Sequence, residues 1–352
     1  MIKLVNDWYH RHFNDPQVAI LALLILSSIF VLYFFGGILT PLLAAVIIAY
    51  LLDGVVYKCV KLKVPRFIAI IFTFSIFIIF LTILLFILAP LLVRQGTQFV
   101  LEIPNMFSKG QEILMQLPEK YPTLISQPQV AELLSGIRAQ ITDFSQTVVS
   151  FSLSSFADLF TFMVYLVVVP LLVFFFLKDK EKILAWFKNF LPNDRTLVAQ
   201  VWTEMNGKIA SYVRGKSMEI LIVWVITYIT FLVFGLDYAV LLSFAVGVSV
   251  LIPYVGAAIV TLPVAIVAYF QWGYSSETLY VIIAYAVIQF LDGNLLVPLL
   301  FSEMVNLHPA AIIVAVLLFG GLWGIWGVFF AIPLATLIHS ILNSWPRSSA
   351  NG

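Results

Sequence analysis

Long uncharged apolar stretches follow one another along this chain, separated by short charged segments. A helix needs about 20 apolar residues to cross a hydrocarbon core about 30 Å thick. Residues 18–52 carry no charge over 35 positions, about 52 Å of helix, too long for one crossing. Gly36, Gly37 and Pro41 sit in the middle, so the pattern predicts a hairpin of two spans, 18–35 and 38–52. Further spans are predicted at 67–93, at 151–177 with a kink at Pro170, and at 218–234, 240–270, 279–300 and 310–342. The fold expected is all-α: a polytopic membrane protein with about eight transmembrane helices, two of the late segments broken by Gly/Pro.

Between the spans the periodicity changes. Residues 94–150 hold Glu102, Glu112, Glu119, Glu132 and Asp143 with four basic residues and four prolines. Their last part places Val130, Leu133, Leu134, Ile137, Ile141, Phe144 and Val148 on one helical face. That face packs on the protein's own membrane region or lies on the bilayer surface; the other reading is a partner site. Val198, Val201, Trp202, Met205, Ile209 and Tyr212 make a second amphipathic stretch within 183–216, read as an interfacial helix. The organisation is thus a three-span region 1–93, an extracytoplasmic helical region 94–150, a fourth span 151–177, a cytoplasmic interfacial region 178–216, and a four-span region 217–352 as the candidate transport core.

Composition turns this pattern into a class. Hydrophobic residues make up 62% of the 352 and charged ones 11%, with a mean hydropathy of +1.05. A soluble chain carries roughly a quarter charged residues, so this one lacks the polar surface a soluble enzyme would need. The net charge of +1 points to no nucleic acid, and one cysteine allows no intrachain disulfide. No cleavable signal pattern precedes the first span, which reads as retained. Lys and Arg gather before the first span, at 58–66, at 178–216 and after the last, so the positive-inside rule puts both termini in the cytoplasm.

The last region breaks its own pattern. From 217 to 346 there is no Lys or Arg. Segment 240–270 contains Pro253, Tyr254 and Gly256, then Pro263. Segment 310–342 contains Gly320, Gly324 and Gly327, then Pro333. Each reads as a kinked span or a re-entrant hairpin. Unwound backbone at membrane depth survives only inside protein or along a wet cavity, and a pair of such interruptions is a pointer to a transporter's binding site. GxxxG packing at Gly320 and Gly324 is the plainer alternative. Between them lies Asp292, an ionisable residue inside an apolar segment and a functional candidate on that ground. Gln289 shares its helical face, and Asn294 adds an amide beyond Gly293. His308 is a candidate proton relay or a structural hydrogen bonder. Asp158, Glu219 and His339 read as interfacial.

Some chemistry is absent. No HExxH or GxSxG motif occurs. Gly215-Lys216-Ser217 resembles the end of a P-loop, but Ala210 stands where that motif needs glycine and no strand precedes it. No catalytic residue, metal or cofactor is expected, and any transport should run on a gradient.

The Pro253-Tyr254-Val255-Gly256 run, Gln289-x-x-Asp292-Gly293-Asn294-x-x-x-Pro298, Leu307-His308-Pro309, the Gly320-to-Pro333 run and the 176–182 junction together resemble the autoinducer-2 exporter family of permeases. The resemblance implies about eight spans, cytoplasmic termini, the cell inner membrane, homo-oligomers and a transporter without an ATPase. Some members are similar to autoinducer-2 exporters and others to cation/proton antiporters. The family often has Glu at the position of Asp292; the shorter carboxylate keeps the charge and changes its reach. The function expected is a permease exporting a small polar metabolite, coupled to protons or cations. A cation/proton antiporter, and a scaffold binding partners through 94–150, are the alternatives.

Overall fold

The computed structural model describes residues 16–115, 134–136, 156–189, 196–253, 255–301 and 308–344, and every element among them is helical. Tyr254, the side chain of Asp158 and most of the amphipathic stretch 130–148 lie outside the described residues.

The first helix overturns the hairpin reading of 18–52. Pro16–Lys61 (α1) is one unbroken helix of 46 residues, about 69 Å long. Pro41 removes a single N–H, and one turn before it the Gly36 carbonyl accepts a hydrogen bond from Thr40 Oγ1 at 3.0 Å. In an apolar medium no water compensates a broken ladder, so Gly36 and Gly37 stay helical. The two ends of α1 are therefore far apart, and the count that placed both termini in the cytoplasm loses the hairpin it relied on.

Arg66–Ile83 (α2) continues through a π-helical turn, Leu84–Leu88, into Ala89–Met115 (α3). Residues 94–115 thus continue the helix of the third predicted span without a break. Phe156–Lys178 (α4) and Lys180–Lys188 (α5) follow. Helices α1, α2 and α4 share one core around Ala45, Ala49, Ala69, Phe77 and Val173. At one end of this bundle Lys180 Nζ lies 2.7 Å from Asp53 Oδ2, and Arg66 pairs with Glu181. The charged ends at 53–66 and 178–182 therefore sit together, as the span pattern requires.

Thr196–Phe234 (α6) is a single helix of 39 residues, so the predicted interfacial stretch and the fifth span are one element. Ala239–Ser249 (α7) and Val255–Trp272 (α8) come next. They form a helical hairpin. Gln271 Nε2 donates to the Gly235 carbonyl and Gln271 Oε1 accepts from Asp237 N, both at 2.8 Å, so the segment ends where it began. A Cβ on Gly256 would run into the Ser249 carbonyl, although seven residues of straight helix span about 10 Å. The base of this hairpin is further tied to α3, where Leu241 N donates to Gln95 Oε1 at 2.9 Å.

Ser276–Leu291 (α9) passes through a second π-helical turn, Asp292–Leu296, into Val297–Phe301 (α10). Phe231 packs near Tyr285 at one end, ring centroids 6.4 Å apart, and Tyr212 near Phe301 at the other, 5.8 Å apart. The α9–α10 span thus runs antiparallel to α6. Pro309–Ser344 (α11) breaks at Gly324 (φ 60°, ψ −136°), a left-handed φ that favours glycine. A Cβ on Gly327 would run into the Phe319 carbonyl, and one on Gly320 would lie 2.9 Å from Val328 Cγ2. This segment also doubles back.

The two hairpins open toward opposite ends of α6. The first has its base beside Phe234. The second returns past Tyr212 and Val213, which cluster with Ile332, and places Ser340 Oγ 3.5 Å from Lys208 Nζ. A span followed by a hairpin therefore occurs twice, in inverted sense, as in transporters built from inverted repeats.

Glycine substitutions test this architecture. Gly256→Ala and Gly327→Ala should each cost about 1–3 kcal/mol by overpacking. Gly37→Ala, where a Cβ meets nothing within 4 Å, should instead stabilise a continuous α1 by about 0.5–1 kcal/mol. Thermal unfolding in detergent reads both signs, and destabilisation by Gly37→Ala would contradict the unbroken helix.

Candidate functional site

Three elements meet at the tip of the first hairpin. On α6, Tyr212, Lys216, Glu219 and Thr227 follow at helical spacings on one buried face. Lys216 Nζ lies 2.7 Å from Glu219 Oε2 and donates to the Val250 carbonyl at 2.8 Å. It also sits 5.5 Å from the centre of the Phe301 ring. The two side chains of the pair are 5% and 2% exposed. A carboxylate, a carbonyl and an aromatic face replace the water that this buried ammonium has lost.

Gly215 makes the approach possible. A Cβ there would lie 2.9 Å from Phe301 Cε1 and 3.3 Å from the Leu300 carbonyl, so a larger residue would push α10 away from α6. The Gly215-Lys216-Ser217 run is thus a helix contact and an ion pair, with no phosphate loop involved.

Asp292 enters from the facing span. It is half-buried at the first position of the π turn, where Val297 N donates to the Asp292 backbone carbonyl. Pro298 follows directly, as Pro90 follows the other π turn, whose closing bond runs from Ala89 N to the Leu84 carbonyl. A proline in mid-helix lacks its own N–H and crowds the carbonyl four residues back, and one wider turn relieves both. Asp292 Oδ1 is enclosed without a protein partner, and the carboxylate lies in electrostatic range of both Lys216 and Glu219. Gln289 Nε2, on the same face, is likewise enclosed, and its side chain interacts with Tyr285 one turn back.

The other candidates divide by position. Pro253 is half-buried in the turn of the first hairpin, beside Val250, and Gly256 is buried just inside it. Pro263 lies in the returning arm α8. Asn294 is exposed and donates to the Phe290 carbonyl at 2.9 Å, away from Asp292. Gly320, Gly324, Gly327 and Pro333 build the second hairpin, which turns against α1: a Cβ on Gly36 would lie 4.0 Å from Trp323 Cδ1. His308 is exposed, and its Nδ1 accepts from Ala310 N at 3.2 Å, a capping contact at the start of α11.

Sequence reasoning placed Glu219 at an interface and passed over Lys216. Glu219 is buried because its ion-pair partner lies one turn away on the same helix. The readable signal was the i, i+3 pairing itself, set in the last polar turn before an apolar run.

Residues 19–347 match the family described as "AI-2E family transporter". The chain belongs to the AI-2E transporter family. It is 43% identical over 346 residues to "Putative permease PerM" of Escherichia coli (strain K12), which covers 98% of each chain. It is 26% identical over 343 residues to "Putative transport protein YueF" of Bacillus subtilis (strain 168), covering 94% of this chain and 92% of the other. The AI-2E match takes in both helical bundles and both hairpins, so membership attaches to the whole architecture, and this family member is a multi-pass membrane protein of a transport family.

Proposed function

We propose that the protein is a secondary transporter of the inner membrane, exporting a small polar metabolite by coupling to a proton or cation gradient at Lys216, Glu219 and Asp292. The observation that carries this reading is Asp292: a carboxylate at membrane depth, on a π turn, facing an ion pair that also holds the tip of a helical hairpin. Intramembrane carboxylates of this kind mark ion and proton paths, and interrupted helices mark cargo sites. In this reading the charged ends at 53–66 and 178–182 face the cytoplasm, and the first hairpin enters from outside. The arms of the second hairpin, and the C-terminus with them, lie inside.

A cation/proton antiporter is the second reading. One ammonium faces two carboxylates in the site, which leaves one negative charge for a proton or a monovalent cation with no further cargo. Reconstituted protein under an imposed pH or Na⁺ gradient, offered a panel of polar metabolites, separates the two. Metabolite efflux that grows with the gradient and collapses with an ionophore supports the exporter. A change of internal pH on adding Na⁺ or Li⁺ alone, with no metabolite moved, replaces it with the antiporter. No gradient-dependent flux of any species overturns both.

A further inference from the structure

We propose that Lys216 is a latch on the first hairpin: its ammonium holds the turn at residues 250–253 against α6, and a cation bound at the carboxylates competes for that hold. The inference rests on the transport reading for why the turn should move, but the contact stands on its own geometry.

The hairpin is fastened at several places: α7 packs closely on α6 at Gly247, and Tyr285 of α9 donates to the Ala257 carbonyl at 3.2 Å. Its base is held by hydrogen bonds to Gln95 and Gln271. Within the turn the bonds are internal: Leu251 N to the Val248 carbonyl, Ile252 N to the Ser249 carbonyl, and Gly256 N to the Ile252 carbonyl. Among the described residues, the hydrogen bond that ties this turn to another element is the one from Lys216 Nζ to the Val250 carbonyl. Val250 is the C-cap of α7, where carbonyls lack helical partners and the helix dipole is negative. An ammonium is suited to that place.

The charges make the hold conditional. Nζ has three hydrogens. One meets Glu219 and one meets Val250, and the Phe301 ring stands 5.5 Å away. Asp292 is a second carboxylate within electrostatic range of the same ammonium. A cation entering between Glu219 and Asp292 would take ligands of the type Nζ now uses. Carboxylate oxygens serve an alkali cation as well as an ammonium, so a bound cation would weaken the attraction that keeps Nζ at this place. Lys216 is in this sense a positioning residue, acting on the pathway through the turn.

Cysteine labelling of the full-length chain tests the latch. In a Cys59→Ser background, Leu251→Cys reports on the turn and Ala268→Cys, in the fully buried α8 position near the base, reports on the hairpin as a body. The variant is Lys216→Met with Glu219→Met, which removes both members of the ion pair together. The rate of N-ethylmaleimide labelling is measured in vesicles without cargo or gradient. The expected result is at least a tenfold faster rate at the Leu251→Cys site in the double variant, with the Ala268→Cys site still protected. An unchanged rate at the turn would overturn the latch. Faster labelling at both sites would also overturn it, because Lys216 would then be holding the whole fold. Absence of flux in the parent, with the expected labelling pattern, would count against the transport reading and leave the latch standing.

Discussion

Asp292→Asn is expected to lower gradient-driven flux by about 10- to 150-fold, the factor that about 1.5–3 kcal/mol of lost charge-assisted interaction corresponds to. The protein should remain folded. The π turn is closed through the backbone carbonyl of Asp292, which the amide retains, and Oδ1 has no protein partner to lose. The change takes away the charge, and with it the ability to bind a cation or carry a proton. Flux in proteoliposomes, compared at equal protein content with a thermal unfolding curve for each variant, reads the two effects separately. Wild-type flux from a folded Asn variant would remove Asp292 from the coupling site.

The second large effect concerns stability. Lys216→Met alone is expected to cost about 3–5 kcal/mol, because it leaves Glu219 buried without its partner. Lys216→Met combined with Glu219→Met should recover most of that loss, since two apolar side chains of similar volume replace a desolvated pair and the half-buried Asp292 loses only a longer-range attraction. The prediction is therefore non-additive: the second substitution should restore most of what the first removes. Thermal unfolding in detergent of the two single variants and the double variant completes the cycle. A double variant as unstable as Lys216→Met alone would mean that the ion pair is not the term that decides this packing.

Much of this was legible in the sequence, for reasons that particular residues make plain. Uncharged length reveals a bilayer, so the all-α membrane architecture followed from hydropathy. Gly256, Gly327, Pro263 and Pro333 marked the two segments that double back, because backbone interruptions in lipid need a reason. Whether those segments kink or return depends on contacts between residues far apart on paper, such as Gln271 with Gly235 and Asp237, and periodicity carries no such information. The same breaker residues misled at Gly36 and Pro41, where an apolar medium kept the helix whole. At Lys216 the charge looked like a boundary between an interfacial helix and a span. It became an interior residue once Glu219 neutralised it, so α6 runs straight through. Asn294 shows the limit of adjacency: two residues from Asp292, it turns to its own backbone.

The π turn at Asp292–Leu296 sets the phase of the span that contains it. Each residue of an α-helix advances the face by about 100°, and the wide turn inserts one residue more than the α pitch allows. Upstream, Val281, Tyr285 and Ile288 form the buried stripe; downstream, Phe301 still meets Lys216 and Tyr212. Deleting one residue within the turn would restore the α pitch and leave Val297–Phe301 facing as it does, whereas closing the turn to α pitch with every residue kept would rotate Val297–Phe301 by about 100°, swinging the aromatic wall off the lysine. The span is thus two helical faces joined by a one-residue phase shift, and the carboxylate sits at the joint.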